Sequence, residues 1–239
     1  MQYFGGKARI AKELSAFINS KLQVNQPFVD IFCGSCNVIS KVDSNRILIA
    51  NDIHTGLIAL HMHVQAGLYL PSHITNEQYE AIKTDTQAPS WLKGFVGFGC
   101  GFSGTWWGGY ARGGEDRNYC LNAKNSLIKK HKTLRGVKFS SSSYIDCLLP
   151  EKSFIYCDIP YKNTAKYSCG DFDHDAFYSW VSNRRKEGHT VFISEYEHNI
   201  PDGFNVHLRI DSKKGIRNSK GEQARTTEVL ISLVAKDVA

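Results

Sequence analysis

Seven short runs of apolar and β-branched residues, spaced by amphipathic stretches, constrain this chain more than any other feature. The runs are residues 28–32, 47–51, 137–140, 154–157, 190–195, 205–210 and 227–234. The first five are mostly apolar rather than alternating, which is the pattern of strands covered on both faces. Helical spacing fills the gaps between them. Ile10, Leu14, Phe17 and Ile18 form one stripe, Leu57, Leu60 and Val64 a second, and Ala176, Phe177, Trp180 and Val181 a third. Asp173 stands where the third needs an N-cap. Strand–helix alternation predicts an α/β fold with a largely parallel, doubly wound sheet. Only a polar loop separates the last two runs, which predicts an antiparallel hairpin.

Residues 69–132 break this rhythm. Their centre, 94–114, is dense in glycine and in aromatics, among them Phe95, Phe98, Phe102, Trp106, Trp107 and Tyr110. Linkers lack such aromatic content, so the segment reads as an insertion with its own fold. Three parts are expected: 1–68, the insertion 69–132, and 133–239. With 239 residues, 42% of them hydrophobic, the chain has enough apolar material for a core, which argues against global disorder. The net charge of +6 favours an anionic partner, though only weakly. The seven cysteines are odd in number and irregular in spacing. Cys33 and Cys36 form one Cys-x-x-Cys without a second pair, so no structural zinc is expected. Reduced thiols in a cytoplasm are the simplest reading. The polar, basic opening leads us to expect no signal peptide, and no apolar run approaches the ~20 residues of a membrane span.

Three blocks carry chemistry. The first, Phe28-Val29-Asp30-Ile31-Phe32-Cys33-Gly34-Ser35-Cys36, runs a buried strand into a small-residue turn. Such a turn lets backbone approach a nucleotide-like ligand. Asp52 follows about twenty residues later at the next strand end, where a carboxylate can bind ribose hydroxyls. The three-glycine dinucleotide fingerprint is absent, and Gly34 reads equally as an ordinary tight turn. The second block is Tyr156-Cys157-Asp158-Ile159-Pro160-Tyr161, at the end of another apolar strand. The lone pair of an aromatic amine is delocalised and poorly nucleophilic. Two acceptors on its N–H groups draw the nitrogen towards tetrahedral geometry. The Asp158 carboxylate is one such acceptor and the Ile159 carbonyl the other. Pro160 holds Ile159 extended, and Tyr161 offers a ring to a base outside the duplex. Alone, the same four residues read as a strand end and a proline turn. The third block, Tyr3-Phe4-Gly5-Gly6-Lys7, fits either a cofactor contact or a frayed terminus.

In order and content the set resembles the Dam-like (D12 class) DNA adenine-N6 methyltransferase family. Tyr-x-Gly-Gly-Lys comes first, then Asp-x-Phe-x-Gly, Asn-Asp-Ile, the insertion and Asp-x-Pro-Tyr. Phe192-Ile193-Ser194-Glu195-Tyr196 and Thr227-Glu228-Val229-Leu230-Ile231 complete it. The resemblance implies a Rossmann-like seven-stranded methyltransferase sheet with an inserted target-recognition region. It implies S-adenosylmethionine as methyl donor, with no metal, and methylation of adenine N6 in flipped-out bases of double-stranded DNA, as in restriction-modification. By motif position Tyr3 and Lys7 contact the cofactor. Asp30 and Gly34 lie beneath its methionine part, and Asp52 holds the ribose. Ser143 and Tyr144 are candidates for its adenine, and Asp158 sits between donor and target amine. Ile159 replaces a proline usual in the family, but the backbone acceptor survives the change. Cys36 replaces a glycine of the family's loop and bears on cofactor fit.

Candidates for DNA contact come from two places. Trp106, Arg112 and Arg117 lie in the insertion, where the competing reading makes its aromatics a core. Lys213, Lys214 and Arg217 belong to a polar stretch expected to form the hairpin loop, which fits phosphate contact or mere solvation. Of His54, His61 and His63, helical spacing aligns only the first two, which argues against a metal site. Cytosine N4, RNA adenine and a catalytically silent DNA-binding relative stay open as alternatives. A monomer or weak dimer is expected.

Overall fold

The computed structural model describes residues 1–112, 117–162, 172–217 and 223–234, with the side chains of 212–225 left aside. All seven runs form strands of one sheet. The strands are β1 (Phe28–Asp30), β2 (Leu48–Asn51), β3 (Lys138–Ser140), β4 (Phe154–Asp158), β5 (Thr190–Tyr196), β6 (Phe204–Arg217) and β7 (Gln223–Leu233). Their order is β3-β2-β1-β4-β5-β7-β6. Neighbours from β3 to β5 are parallel, and β7 is antiparallel to both β5 and β6. This is the Rossmann-like seven-stranded α/β sheet that the sequence predicts. The order reverses between β1 and β4, and open α/β sheets bind ligands at that point, outside the strands' carboxyl ends.

Consecutive apolar residues in the central strands serve opposite faces, as a period of two requires. Phe28, Phe154 and Phe192 join one core, with Leu14 and Ile18 of helix α1 (Ala11–Lys21). Val29, Ile155 and Ile193 join the other, with Phe177, Trp180 and Val181. Those three lie on a helix, His174–Lys186, whose N-cap Asp173 accepts from the Ala176 N–H at 2.9 Å. Each buried aromatic or branched side chain contributes roughly 1.5–3 kcal/mol by leaving water.

Residues 69–132 fold with a neighbour. Helices α3 (Asn76–Thr84), α4 (Ser90–Gly94) and α5 (Tyr119–His131) pack with α2 (Thr55–Gln65). Leu60 and Val64 of α2 share a third core with Tyr79, Phe95, Val96 and Leu127. The predicted aromatic core is therefore present, and α2 completes it. The helices α2 and α4 cross at two glycines. A Cβ on Gly94 would stand 2.1 Å from the Gly56 carbonyl oxygen.

The structure corrects the expected hairpin loop. β6 and β7 continue as a two-stranded ribbon, in which Lys213 pairs with Arg225 and Arg217 with Gln223. Lys213, Lys214 and Arg217 are thus strand residues. Polar sequence is compatible with this, because an antiparallel ribbon needs no apolar cover on both faces. Only 218–222, including Lys220, lie outside the described residues there.

The glycine crossing gives the first prediction. Gly94→Ala should lower the unfolding free energy by about 3 kcal/mol through overpacking against backbone. Gly136→Ala meets open space and should stay within about 0.5 kcal/mol of wild type. Urea unfolding of the two variants checks the contrast.

Candidate active site

β1 ends at Asp30, and the chain stays hydrogen-bonded to both neighbours as it leaves the sheet. Ile31 N–H donates to Tyr156 O at 3.1 Å and Cys33 N–H to Asn51 O at 2.8 Å. The turn then closes with Cys36 N–H on Cys33 O at 2.7 Å. Gly34 has φ +48°, and a Cβ there would approach the Tyr3 ring to 3.0 Å. Glycine lets the turn reverse and the amino-terminal ring settle on it. Asp52 locks the turn to β2. Its carboxylate accepts from Gly34 N–H and from His54 N–H, each at 2.9 Å. Asn51 ties the third loop in, donating to Ile31 O and Ser142 O and accepting from Ser140 and Ser142.

These ends surround a cavity of about 280 Å³. Every predicted cofactor residue lines it: Tyr3, Lys7, Asp30, Gly34, Asp52, Ser143, Tyr144 and Asp158. Asp30 is 2% exposed, and its Oδ1 has no hydrogen-bond partner among the described residues. Burial first, then the neighbouring thiol of Cys36 and the carboxylates of Asp158 and Asp52, push its pKa well above the ordinary range. Burial likewise raises Asp52, against the two backbone N–H groups. The floor therefore holds buried carboxyl groups suited to a cationic or hydroxyl-rich ligand.

At the end of β4, Asp158 pairs with Lys7 at 2.8 Å, and Lys7 also lies 3.5 Å from Glu228 on β7. Lys7 is 8% exposed and sits 4.5 Å from the centre of the Tyr161 ring. Tyr161 O–H donates to Glu228 Oε2 at 3.2 Å, and its ring meets Tyr196 edge-on at 4.4 Å. Burial raises the Asp158 pKa, and the Lys7 ammonium opposes that rise. Pro160 lines the cavity and its carbonyl lies 2.9 Å from His174 Nε2. Ile159 and Tyr161 do not line it. Both are buried in the core beside β5.

The DNA-contact candidates stand apart. Trp106 packs edge-on against His54 at 4.2 Å and against Phe98 at 4.8 Å. Arg112 and Arg117 are exposed and line a second cavity, of about 440 Å³, in the inserted segment. The side chains of Lys213, Lys214 and Arg217 fall outside those described. Among the described residues no group of three or more His, Cys, Asp or Glu is arranged to hold a metal ion, and no helix is long and apolar enough to cross a membrane. Sequence reasoning gave no site role to Glu228, nor to Asn37 and Phe172, which line the first cavity. A signal for Glu228 existed: it is a lone carboxylate inside an apolar strand run.

Residues 3–88 match the family model described as D12 class N6 adenine-specific DNA methyltransferase. The predicted resemblance thus holds over those residues, which carry the amino-terminal glycine block, the Gly34 turn and Asp52. Among solved structures the chain is similar to the Escherichia coli protein yhhF, with 11% identity, a TM-score of 0.38, and coverage of 95% of this chain and 86% of that one. It is also similar to the precorrin-6y C5,15-methyltransferase of Geobacter metallireducens GS-15, with 10% identity, a TM-score of 0.36, and coverage of 93% and 88%. No curated protein matches.

Lys7 yields a pH prediction. In Lys7→Gln the Asp158 carboxylate loses its cation, so its folded-state pKa rises further above the unfolded value. A carboxyl raised in the folded state costs stability when ionised, and protonation relieves that cost. Lys7→Gln should therefore lose stability relative to wild type at pH 8 and regain part of it as pH falls toward 5. Thermal melts of both proteins across that range measure the difference.

Proposed function

We propose that this protein transfers a methyl group from S-adenosylmethionine to the N6 amine of adenine in double-stranded DNA. The observation that carries the proposal is the cavity itself. It gathers all eight predicted cofactor residues over the carboxyl ends of β1, β2 and β4, with Asp158 in its wall.

The residues present fit the cofactor. The unpartnered Asp30 oxygen beneath the Gly34 turn suits the cationic methionine end. Asp52 holds its turn with one lone pair of each oxygen, which leaves acceptor capacity for ribose hydroxyls. Tyr144 and Ser143 stand by for the adenine ring. When bound, S-adenosylmethionine supplies a methyl group already activated by its sulfonium, so no metal is needed.

The protein's own part is to prepare the amine. Asp158 accepts one N–H of the target and the Ile159 carbonyl accepts the other, concentrating the lone pair on nitrogen. Lys7 favours the ionised form of Asp158, the form that accepts. Pro160 keeps Ile159 extended so that its carbonyl is presented. Tyr161 supplies a ring at the flipped base, held by Glu228 and Tyr196. Trp106, Arg112 and Arg117, with Lys213, Lys214 and Arg217 on the β6 ribbon, are the groups we assign to DNA. The arginines and lysines would bind phosphates and make affinity fall with salt. Double-stranded DNA in the cytoplasm is the corresponding partner and place.

Tritiated methyl transfer to duplex DNA, followed by nucleoside analysis, tests the reading. Label should appear in N6-methyladenine. Asp158→Ala should lower the rate by at least about a thousandfold, since an interaction special to the transition state is removed. Ile159→Pro should stay within about threefold of wild type, because the acceptor is backbone. Label confined to N4-methylcytosine or RNA, or none in any nucleic acid, would overturn the proposal.

A further inference from the structure

Beneath the Gly34 turn lies a cluster that methyl transfer does not use. Cys33 lines the cavity, and Cys36 is fully buried behind it. Their turn is closed by the Cys36 N–H to Cys33 carbonyl bond, and a four-residue turn keeps its end Cα atoms within about 7 Å. Disulfides span about 4.4–6.8 Å between Cα atoms. The two thiols also share one acceptor, since Cys33 Sγ lies 3.8 Å and Cys36 Sγ 4.0 Å from Gly34 O. Cationic and imidazole groups surround the inner sulfur. His61 Nε2 lies 3.5 Å from Cys36 Sγ, and its Nδ1 is 3.0 Å from His131 Nε2. Lys130 donates to Ser35 O and Asn37 Oδ1 in the same turn.

We propose that Cys33 and Cys36 form a reversible oxidation site, converted by hydrogen peroxide or a small organic hydroperoxide into an intramolecular disulfide. The Cys36 sulfur attacks the terminal peroxide oxygen, the O–O bond breaks, and the departing hydroxide, or the alkoxide of an organic hydroperoxide, takes a proton and leaves as water or alcohol. The Cys33 sulfur then attacks the resulting Cys36 sulfenic acid. The S–O bond breaks, and a second water carries away the Cys33 proton. Two thiols lose two electrons in all, and one peroxide gains them.

The surroundings favour this order of events. Burial acts to raise the Cys36 pKa, but the hydrogen bond from Cys33 and the charges of His61 and Lys130 outweigh it and hold the thiol well below its ordinary value. A thiolate is the nucleophile in such chemistry. Cys33 lines the cavity, and its sulfur shares the Gly34 carbonyl with that of Cys36. In a reducing compartment a disulfide of this kind serves as a transient sensor rather than a staple. Its formation draws two side chains of the Gly34 turn together and removes the Cys33 S–H donor from the Gly34 carbonyl. The same turn donates to Asp52 at the cavity wall. Disulfide formation does not depend on the methyl-donor reading; its effect on ligand affinity does.

The full chain treated with peroxide, alkylated and digested with trypsin provides the test. Residues 22–41 form one peptide whose only cysteines are Cys33 and Cys36. That peptide should lose two hydrogens, resist alkylation, and recover both thiols with dithiothreitol. Saturating sinefungin should slow its oxidation, and the oxidised protein should bind sinefungin about tenfold more weakly, by distortion of the turn. Both cysteines still alkylated after excess peroxide, or oxidised only to separate acids or intermolecular links, would overturn the proposal. If sinefungin binds neither form, the methyl-donor reading fails, and the peptide mass alone still decides the disulfide.

Discussion

A carboxylate at the end of a buried parallel strand needs a cation, and in this protein the need is met by Lys7. The Lys7–Asp158 pair is what joins the amino-terminal segment to the centre of the sheet. An unpaired charge in that position would be costly, by roughly 3–5 kcal/mol for a buried pair broken on one side. With Lys7 held there, the rest of its segment follows. The Tyr3 ring lies on Gly34, and Phe4 N–H donates to Gly104 O at 3.0 Å. One ion pair thereby brings the glycine block, the cofactor-type turn and the inserted segment to the same end of the sheet. Glu228 extends the network to the antiparallel strand and ties in Tyr161.

The second constraint is that three loops leave the sheet side by side and must not collapse into one another. Backbone groups at those ends have lost their strand partners, and side chains replace them. Asp52 takes two N–H groups, and Asn51 bridges the first and third loops. The cavity stays open because its walls are hydrogen-bonded to each other across the gap rather than packed into it. Such a preorganised floor suits a ligand whose charge must be met at fixed points.

Much of this was legible in the residues. All seven strands follow from short apolar and β-branched runs, and the central ones, covered on both faces, leave the strongest signal. The cavity wall was legible in part because Asp30, Asp52 and Asp158 stand at strand ends, and parallel strands present their carboxyl ends together, whereas Tyr3 and Lys7 come from the amino-terminal glycine block. Three features were not. Lys213, Lys214 and Arg217 read as loop, since polar composition does not distinguish a solvated ribbon from a turn. The insertion read as a self-contained unit, and nothing in the spacing of Leu60 and Val64 shows that α2 completes its core. The pairing of Glu228 with Lys7 and Tyr161 spans most of the chain, and local patterns carry no information about contacts that only the sheet order creates.

We propose that the methyl donor lies in this cavity with its reactive end at Asp158. A crystal structure of the protein with sinefungin, whose amine stands where the methyl-bearing sulfonium would be, tests it most directly. This amine should lie within hydrogen-bond reach of the Asp158 carboxylate, with the ribose hydroxyls on Asp52 and the methionine end over Asp30. Sinefungin bound elsewhere, or lying in the cavity with its amine turned away from Asp158, would contradict it.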